Sequence, residues 1–470
     1  CIRDRDKDKE KKMEKYRGKK VLIVGLGKTG FALIHIFSQF DCQIKVTDIK
    51  PIFDLNKAVK RLKKVKTTPQ MTLGEHRDED FIEADVVVYS SSVDPNLPQL
   101  IKAREHGTEV YSEFAFAYAN CDKPVIAVCG SKGRSTIAHM IGYSLKMDKK
   151  NVFVGGTSLE PFCNFLVHPN KDFTDYVVVE VSPLQLQSIE NFHPILAVYP
   201  NIEEKTIPGR FNTAGEYIEN ALKPLKNLTS ENFLITNFDK LSSNSILRNS
   251  QAQNYWYSRR SFVKMGVIGE IQGTHFHDKR IHCNIHYHSE FSVKSMRIVG
   301  QNNRENLLAA ITACKALKVS DDAIQKCIES FPGIPHRMEF VIERNGVKFY
   351  NDAKSEKMDE LKATLENLKG PIIVIAGGKD TEQMYEGYSD IIAEKVRLMV
   401  LVGECKESMN RSIGDATQTF LVGSFDESIL LAFQKSRTGD TIILCPGNES
   451  TDIFRDYDEK GNYFKKLIFQ

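Results

Sequence analysis

Short apolar runs alternate along the chain with longer stretches that mix apolar and polar residues. A short apolar run bounded by turn residues fits a strand buried on both faces, and the mixed stretches fit helices. We therefore predict an α/β protein built on parallel sheets. The predicted strands are Val21–Val24, Gln43–Thr47, Asp85–Tyr89, Glu109–Tyr111, Val125–Val128, Asp175–Val181, Ile195–Tyr199, Val347–Tyr350, Ile372–Ala376, Leu398–Val402 and Thr441–Leu444.

The strand pattern restarts twice, which predicts three successive α/β domains in the 470 residues. A length prior for a chain of this size agrees with that number. Residues 1–18 carry mixed charge with almost nothing to bury, so we expect a disordered arm, in which Met13 is a candidate natural start. The expected domains are 19–121, which is Rossmann-like, 122–334, which has a phosphate-binding loop, and 335–470, which is again Rossmann-like.

The composition of the chain argues against some classes of protein and favours others. A net charge of only +3 argues against a dedicated nucleic-acid binder, which needs a concentrated basic face. No apolar run approaches the length of a membrane span, and no signal peptide is evident, so we expect a cytoplasmic enzyme. The ten cysteines form no CxxC pair, which favours reduced core residues over disulfides or zinc ligands.

The first predicted strand is followed by Gly25-Leu26-Gly27-Lys28-Thr29-Gly30, then by a predicted helix over 31–40 and a second strand that ends at Asp48. A GxGxxG turn with an acidic residue about 20 positions later is the layout of a Rossmann-type nucleotide site. The same glycines could instead serve only to pack the helix tightly against the strand. Both interpretations stay open on the sequence.

The second domain opens with a strand that runs into Gly130-Ser131-Lys132-Gly133-Arg134-Ser135-Thr136. Backbone N–H groups in such a loop cradle phosphates, and the hydroxyl after the basic residue can reach Mg²⁺. Glu180 and Asn201 follow neighbouring strands, so we expect them to converge with the loop on one crevice. Glu180 suits a Mg²⁺ ligand, although a carboxylate at a strand end can also cap a nearby turn.

Histidines crowd the stretch from Thr274 to His288. Alternation with a period of two predicts that His282, His286 and His288 share one face of a strand. We interpret this face as solvated, and a metal site remains the open alternative.

Three loops of the third domain follow predicted strands: Asn351-Asp352-Ala353-Lys354, Gly377-Gly378-Lys379-Asp380 and Pro446-Gly447-Asn448-Glu449-Ser450. Functional side chains collect at such positions in α/β domains. Asp352 and Lys354 could equally form an ordinary turn with a solvated lysine.

Several motifs in one order resemble the Mur ligases of peptidoglycan synthesis, over essentially all of Lys19 to Gln470. The resemblance is closest to the members that add D-glutamate. It rests on the two glycine-rich loops and on Glu180-Val181-Ser182-Pro183-Leu184-Gln185-Leu186, Gly300-Gln301-Asn302-Asn303-Arg304-Glu305-Asn306, Pro335-His336-Arg337-Met338-Glu339, Asn351-Asp352-Ala353-Lys354 and Ser450-Thr451-Asp452-Ile453-Phe454-Arg455-Asp456-Tyr457.

The resemblance implies a monomeric ligase that uses ATP and Mg²⁺ to join D-glutamate to UDP-N-acetylmuramoyl-L-alanine through an acyl phosphate. Its implied catalytic residues are Arg134, Glu180 and Lys354, and its metal ligands are Ser135 and Glu180. ATP would be bound by Gly130 to Thr136 together with Asn306, Arg337 and Asp352. The uridine diphosphate group would be bound by Gly25 to Gly30 and Asp48, and the amino acid by Lys354, Ser450 and Tyr457.

The chain also departs from the family pattern. Arg134 replaces the loop lysine, and Thr206, Ala221 and Thr381 stand where the family has a histidine, a carbamylated lysine and a lysine. Thr157 stands where the family has an asparagine. An alternative hypothesis is therefore a degenerate relative that binds nucleotide or precursor without turnover. A dinucleotide-dependent enzyme built on the first domain is weaker, because it leaves the other two domains unexplained.

Overall fold

The computed structural model describes residues 12–53, 55, 59, 62, 68–202, 210–242, 244–262, 271–298, 300–381 and 383–470. Two compact units make up the chain. One contains the residues up to Phe291 together with Asn306–Ile324, and the other contains Ser292–Glu305 and Gln325–Gln470. The three-domain boundaries expected from the sequence stay a prediction.

The first unit contains two sheets, of which the N-terminal one is parallel throughout, in the order β3-β2-β1-β4-β5. Its strands are β1 (Lys20–Val24), β2 (Gln43–Asp48), β3 (Gln70–Leu73), β4 (Val86–Tyr89) and β5 (Glu109–Ser112). Its helices are α1 (Lys28–Phe37), α2 (Asp78–Ile82), α3 (Pro98–Glu105) and α4 (Glu113–Asn120). Helix α1 begins three residues before the predicted start, because it continues directly from Gly27.

Residues just before β1 are ordered, in contrast to the disordered arm expected for residues 1–18. Met13 and Tyr16 are buried, and the Tyr16 ring packs against Phe37 and Phe116 at centroid distances of 5.9 and 5.4 Å. The two side chains are three residues apart and face the same way on a helical turn, so they cover the end of the first core. The first eleven residues lie outside the described ones.

The second sheet has the strand order β14-β13-β12-β11-β10-β9-β6-β8-β7. It is parallel from β12 to β7 and antiparallel between β12 and β13. The strands are β6 (Val125–Val128), β7 (Val152–Gly156), β8 (Tyr176–Glu180), β9 (Leu196–Tyr199), β10 (Phe233–Asn237), β11 (Gln253–Ser258), β12 (Gly273–His277), β13 (Arg280–Cys283) and β14 (Ser289–Ser292).

The helices in this part of the chain are α5 (Arg134–Met147), α6 (Pro183–Leu186), α7 (Ala214–Leu222), α8 (Phe238–Leu241), α9 (Ser245–Arg248), α10 (Gln301–Ala316) and α11 (Asp321–Ser330). Residues Gln301–Glu305 of α10 and Gln325–Ser330 of α11 belong to the second unit. Two 3₁₀ turns cover Phe162–Val167 and Lys223–Asn227. Strands β6 and β9 are apolar and buried throughout, and β8 is buried from Val177 to Glu180, as expected for a parallel sheet covered on both faces. Their carboxyl ends therefore supply the edge at which a ligand can bind.

The second unit is built on a sheet of order β15-β16-β20-β17-β18-β19, in which only the β15–β16 pair is antiparallel. Its strands are β15 (Glu339–Arg344), β16 (Val347–Asn351), β17 (Ile372–Ala376), β18 (Val396–Leu401), β19 (Gln418–Leu421) and β20 (Thr441–Leu444). Its helices are α12 (Met358–Asn367), α13 (Ser389–Lys395), α14 (Lys406–Ile413), α15 (Phe425–Gln434) and α16 (Tyr457–Phe469), with a 3₁₀ turn at Gly414–Ala416. The α/β class is confirmed.

Two expectations from the composition concern membrane-spanning helices and the state of the cysteines. None of the helices in the described residues has both the length and the apolar character needed to cross a bilayer. The nine cysteines that the structure describes are all free, and every one except Cys121 is buried. Cysteine therefore serves as a small core residue in this part of the chain.

Candidate functional site

The glycine-rich loop after β6 closes on the carboxyl end of β9. Gly130 and Gly133 have φ angles of 91° and 83°, which other residues rarely adopt. The backbone N–H groups of Ser131 and Lys132 donate to Oδ1 of Asn201, at 3.2 and 2.8 Å. The side chain of Asn201 returns a bond from Nδ2 to the carbonyl oxygen of Lys132 at 3.1 Å. Asn201 therefore fixes the shape of the loop.

Arg134 is the first residue of α5, and its guanidinium folds back over the loop. Nη1 donates to the carbonyl oxygens of Gly130 and, at 2.8 Å, of Ser131. Nε donates to Oε1 of Glu180 at 3.2 Å. A lysine ammonium lacks the planar fork that makes these contacts together. In this chain the loop is thus built around arginine.

Glu180 ends β8 and is almost completely buried, with 2% of its side chain exposed. Besides the bond from Arg134, Oε2 accepts the hydroxyl of Ser135 at 2.8 Å and the N–H of Ser158 at 3.4 Å. The Ser158 hydroxyl donates to Oε1 at 3.3 Å. Glu180 thus caps the turn after β7, as one of the two sequence interpretations expects, and it also meets the phosphate-type loop.

The donor set around Glu180 fits a hard cation. Its carboxylate and the hydroxyls of Ser135 and Ser158 are oxygen ligands, which Mg²⁺ prefers. An ion there would share Oε1 with Arg134 or displace it. The oxygen set suits one Mg²⁺.

Two of the positions at which the chain departs from the family pattern, 206 and 221, add no metal ligand among the described residues. Ala221 is buried on α7, and its carbonyl oxygen accepts the hydroxyl of Tyr199 at 2.9 Å. Lys223 forms an ion pair with Glu190 at 2.6 Å, so it does not substitute there. Lys205 and Thr206 lie outside the described residues.

Other side chains complete the surroundings of the loop. Oδ1 of Asn306 lies so close to Gly133 that a Cβ atom there would be 2.4 Å away. The hydroxyls of Ser131 and Tyr217 are 2.8 Å apart. Sequence reasoning missed Tyr217 and Ser158. The only signal for Ser158 was a small polar residue after a predicted strand, and Tyr217 comes from a distant helix that no local pattern connects to the loop.

The GxGxxG loop is fixed by Asp48, which lies 22 positions further on. Oδ2 of Asp48 accepts the N–H of Leu26 at 2.7 Å. A Cβ on Gly30 would be 2.1 Å from the carbonyl oxygen of Gly25, whereas Gly27 has open space around it. The close approach of the Gly25 carbonyl therefore explains why residue 30 is a glycine. The open space over Gly27 leaves room for a ligand.

In the second unit, Asp352 is buried and saturated with donors. Its carboxylate accepts the N–H of Met338 at 2.9 Å and the hydroxyls of Ser355 and Thr364 at 2.7 and 2.5 Å. The hydrogen bond from Ser355 closes a local turn, which is one of the two interpretations that the sequence allowed for Asp352. The side chain of Arg337, assigned with Asp352 to the adenosine end, is exposed.

Lys354, Tyr457 and Ser450 belong to one neighbourhood of the second unit. The Lys354 ammonium lies 5.5 Å from the centroid of the Tyr457 ring. Glu356, which sequence reasoning missed, accepts the N–H of Ser450 at 2.8 Å and donates its own N–H to the Lys354 carbonyl at 3.0 Å. The Ser450 hydroxyl is buried and has no hydrogen-bond partner among the described residues. Burial raises the pKa of Tyr457, which keeps its hydroxyl protonated.

The histidine-rich stretch differs from its expected form. Strand β13 ends at Cys283, and His286 has a φ of 62°, so the stretch 281–288 is not one continuous strand. His286 therefore does not share a strand face with His282 and His288. Asn284 still pairs with Gly273, since its N–H donates to the Gly273 carbonyl at 3.1 Å and its Oδ1 accepts the Gly273 N–H at 2.6 Å. The extended backbone is therefore interrupted after Asn284, where His286 adopts a positive φ.

Comparison with known proteins covers nearly the whole chain. Three family models match: "Mur ligase MurD-like, N-terminal domain" over residues 19–112, "Mur ligase middle domain" over 128–314, and "Mur ligase, glutamate ligase domain" over 336–448. The UDP-N-acetylmuramoylalanine--D-glutamate ligase of Bdellovibrio bacteriovorus is 33% identical over 456 residues, covering 96% of this chain and 97% of that protein. The enzyme of the same name from Geobacter metallireducens is 31% identical over 453 residues, with 96% and 97% covered.

Solved structures share the fold at lower identity. The UDP-N-acetylmuramate-alanine ligase MurC of Thermotoga maritima aligns with a TM-score of 0.56 and 14% identity, covering 96% of this chain and 99% of that one. MurF of Acinetobacter baumannii aligns with a TM-score of 0.54 and 15% identity, covering 93% and 87%. At such identities the likeness concerns the fold alone.

Proposed function

The chain belongs to the Mur ligase family, and from this premise we propose that it is an ATP-dependent ligase that joins D-glutamate to UDP-N-acetylmuramoyl-L-alanine. The observation that carries the proposal is the match to curated D-glutamate ligases along 96% of the chain. Neither of these relatives is described as a binding protein without turnover. The degenerate alternative therefore gains no support from them.

The ATP phosphates belong at the loop that Asn201 fixes. The N-terminus of α5 starts at this loop and favours anions. Glu180 and Ser135 would hold a Mg²⁺, which would neutralise charge on the transferred phosphoryl group. Arg134 places a second positive charge at the same point, 3.2 Å from Glu180. We assign to Arg134 the charge-stabilising role that the family gives to lysine, and we assign the adenosine end to Asn306, Arg337 and Asp352.

The two remaining substrates need different chemistry. The GxGxxG loop, held in place by Asp48, offers the open space over Gly27 to a diphosphate group. In the second unit the ammonium of Lys354 can pair with a carboxylate of the amino acid, and the unpartnered hydroxyl of Ser450 can donate to it. Tyr457 packs beside the ammonium and limits its movement.

The reaction that fits these groups has two steps. An oxygen of the muramoyl-alanine carboxylate attacks the γ-phosphorus of ATP, the bond to the bridging oxygen breaks, and ADP leaves. The amine of D-glutamate then attacks the acyl carbon, and the carbon–oxygen bond of the tetrahedral intermediate breaks to release phosphate. Negative charge builds up in both steps, so fixed positive groups such as Arg134 and Lys354 lower the barriers.

Product formation tests the proposal. Purified protein with Mg-ATP and UDP-N-acetylmuramoyl-L-alanine should form the D-glutamyl product, detected by mass spectrometry, and other D- or L-amino acids should give much less. Glu180→Gln should reduce product on the order of 10²-fold, because it removes the buried carboxylate. The exposed Glu160 provides a matched control, so Glu160→Gln should leave the rate unchanged. Absence of product with every amino acid, from folded protein, would contradict the proposal.

A further inference from the structure

Histidines and a glutamate meet at the antiparallel edge of the second sheet. His275 lies directly across from His282 in the β12–β13 pair, and β14, which carries Glu290, lies beside β13. The ring of His282 is 5.7 Å from that of His275 and 5.8 Å from that of His288, measured between centroids. The fold therefore brings together imidazoles from separate segments of the chain.

Three donor atoms of this cluster lie close to one another. Oε1 of Glu290 is 3.5 Å from Nδ1 of His282 and 3.3 Å from Nε2 of His288. The ligand atoms of the three residues all lie within 4.8 Å of one another. Four ligands placed tetrahedrally around Zn²⁺ at its usual bond lengths are about 3.4 Å apart. The two distances from Oε1 of Glu290, 3.5 and 3.3 Å, are thus close to the ligand separations of a zinc site.

A neighbouring group supports the same arrangement. Nε of Arg280 lies 3.2 Å from Oε2 of Glu290 and forms an ion pair with it, while Oε1 faces the two histidines.

We propose that His282, His288 and Oε1 of Glu290 bind a divalent metal ion of the zinc class. Imidazole ligands favour Zn²⁺ over Mg²⁺, which prefers oxygen. The His288 side chain is 63% exposed, so an ion can enter from solvent, and the fourth position is left for water. The ion would join β13 to β14 at the edge of the sheet.

This site is separate from the proposed ATP site. Strand β13 lies five strands away from β6 in the sheet order. At about 4.8 Å per strand the two are roughly 24 Å apart. The inferred role is therefore structural, and it does not depend on the ligase proposal.

Calorimetric titration of ZnCl₂ into tag-free protein freed of metal by EDTA tests the inference. One Zn²⁺ per chain should bind and raise the melting temperature, and MgCl₂ should not compete. His288→Ala and Glu290→Gln should each weaken binding at least about 10-fold, since each removes a ligand. His288 is exposed, so its replacement leaves the core intact.

His286→Ala is the matched control. This histidine lies in the same turn, is exposed, and is not one of the three ligands, so its variant should bind Zn²⁺ as the wild type does. Co²⁺ provides a second readout, because a tetrahedral site with nitrogen ligands gives visible absorption that His288→Ala should abolish. Equal Zn²⁺ affinity in all the variants, or no stoichiometric binding by the wild type, would overturn the inference.

Discussion

Arg134 shows how one substitution changes the way a loop is held together. The guanidinium bonds two carbonyl oxygens of its own loop and pairs with the buried carboxylate of Glu180. A loop lysine makes a point-charge contact to phosphate and has no fork for the carbonyl oxygens. The hydrogen bonds of Arg134 to the loop carbonyl oxygens and to Glu180 therefore accommodate arginine where the family has lysine.

We expect Arg134→Lys to lower ATP-dependent phosphate release on the order of 10²-fold, since the loop loses its inner contacts. Arg134→Met should also lower the free energy of unfolding by about 3 kcal/mol, because Glu180 is then buried without a cation. The lysine variant keeps the charge and should lose less stability. Steady-state kinetics and denaturant titration measure the two effects. If the lysine variant were as active as the wild type, the hydrogen bonds of the planar guanidinium would not be needed for activity.

At the scale of elements, the connection between β1 and α1 depends on close backbone approach. Gly30 lies in the first turn of α1 and faces the carbonyl oxygen of Gly25, with no room for a methyl group. Gly27, the residue before the helix, faces open space and has an ordinary negative φ. The two glycines of one motif therefore have different physical roles.

We expect Gly30→Ala to lower the free energy of unfolding of the first unit by about 2 kcal/mol, because the added methyl group forces the helix away from the strand. Gly27→Ala should change it by less than about 0.5 kcal/mol. Its effect should instead appear as weaker binding of the uridine diphosphate substrate. Thermal melting and calorimetry separate the two outcomes, and equal destabilisation by both variants would contradict the difference in roles.

Strands could be predicted from the sequence where a short apolar run determines them. The strands that carry the site, β6, β8 and β9, match the apolar runs to within two residues at each end. The histidine stretch could not be predicted in this way, because its alternation suggested a continuous strand, whereas β13 ends at Cys283 and His286 has a φ of 62°. The pairing of Arg134 with Glu180 spans 46 positions, and no sequence period records such a contact.

For the whole molecule, family motifs located residues that local chemistry alone left undecided. Lys354 and Tyr457 are about a hundred positions apart in sequence, and the second unit places the ammonium 5.5 Å from the ring centroid. Their shared role in binding the amino acid, which the resemblance implies, stays a prediction. The hydrogen-bond partners of Asp352 could not be predicted, since two of its donors come from Met338 and Thr364, which a turn motif does not reveal. A family pattern thus predicts positions, and the structure adds the partners that decide what each position can do.

The central claim is amide formation from an acyl phosphate made with ATP, and isotope transfer tests it most directly. UDP-N-acetylmuramoyl-L-alanine labelled with ¹⁸O in its carboxylate is incubated with the protein, Mg-ATP and D-glutamate, and the released phosphate is analysed by mass spectrometry. The account predicts one ¹⁸O in the phosphate for each amide formed, because the attacking carboxylate oxygen leaves with phosphorus. Product accompanied by unlabelled phosphate, or labelled phosphate without product, would contradict the account.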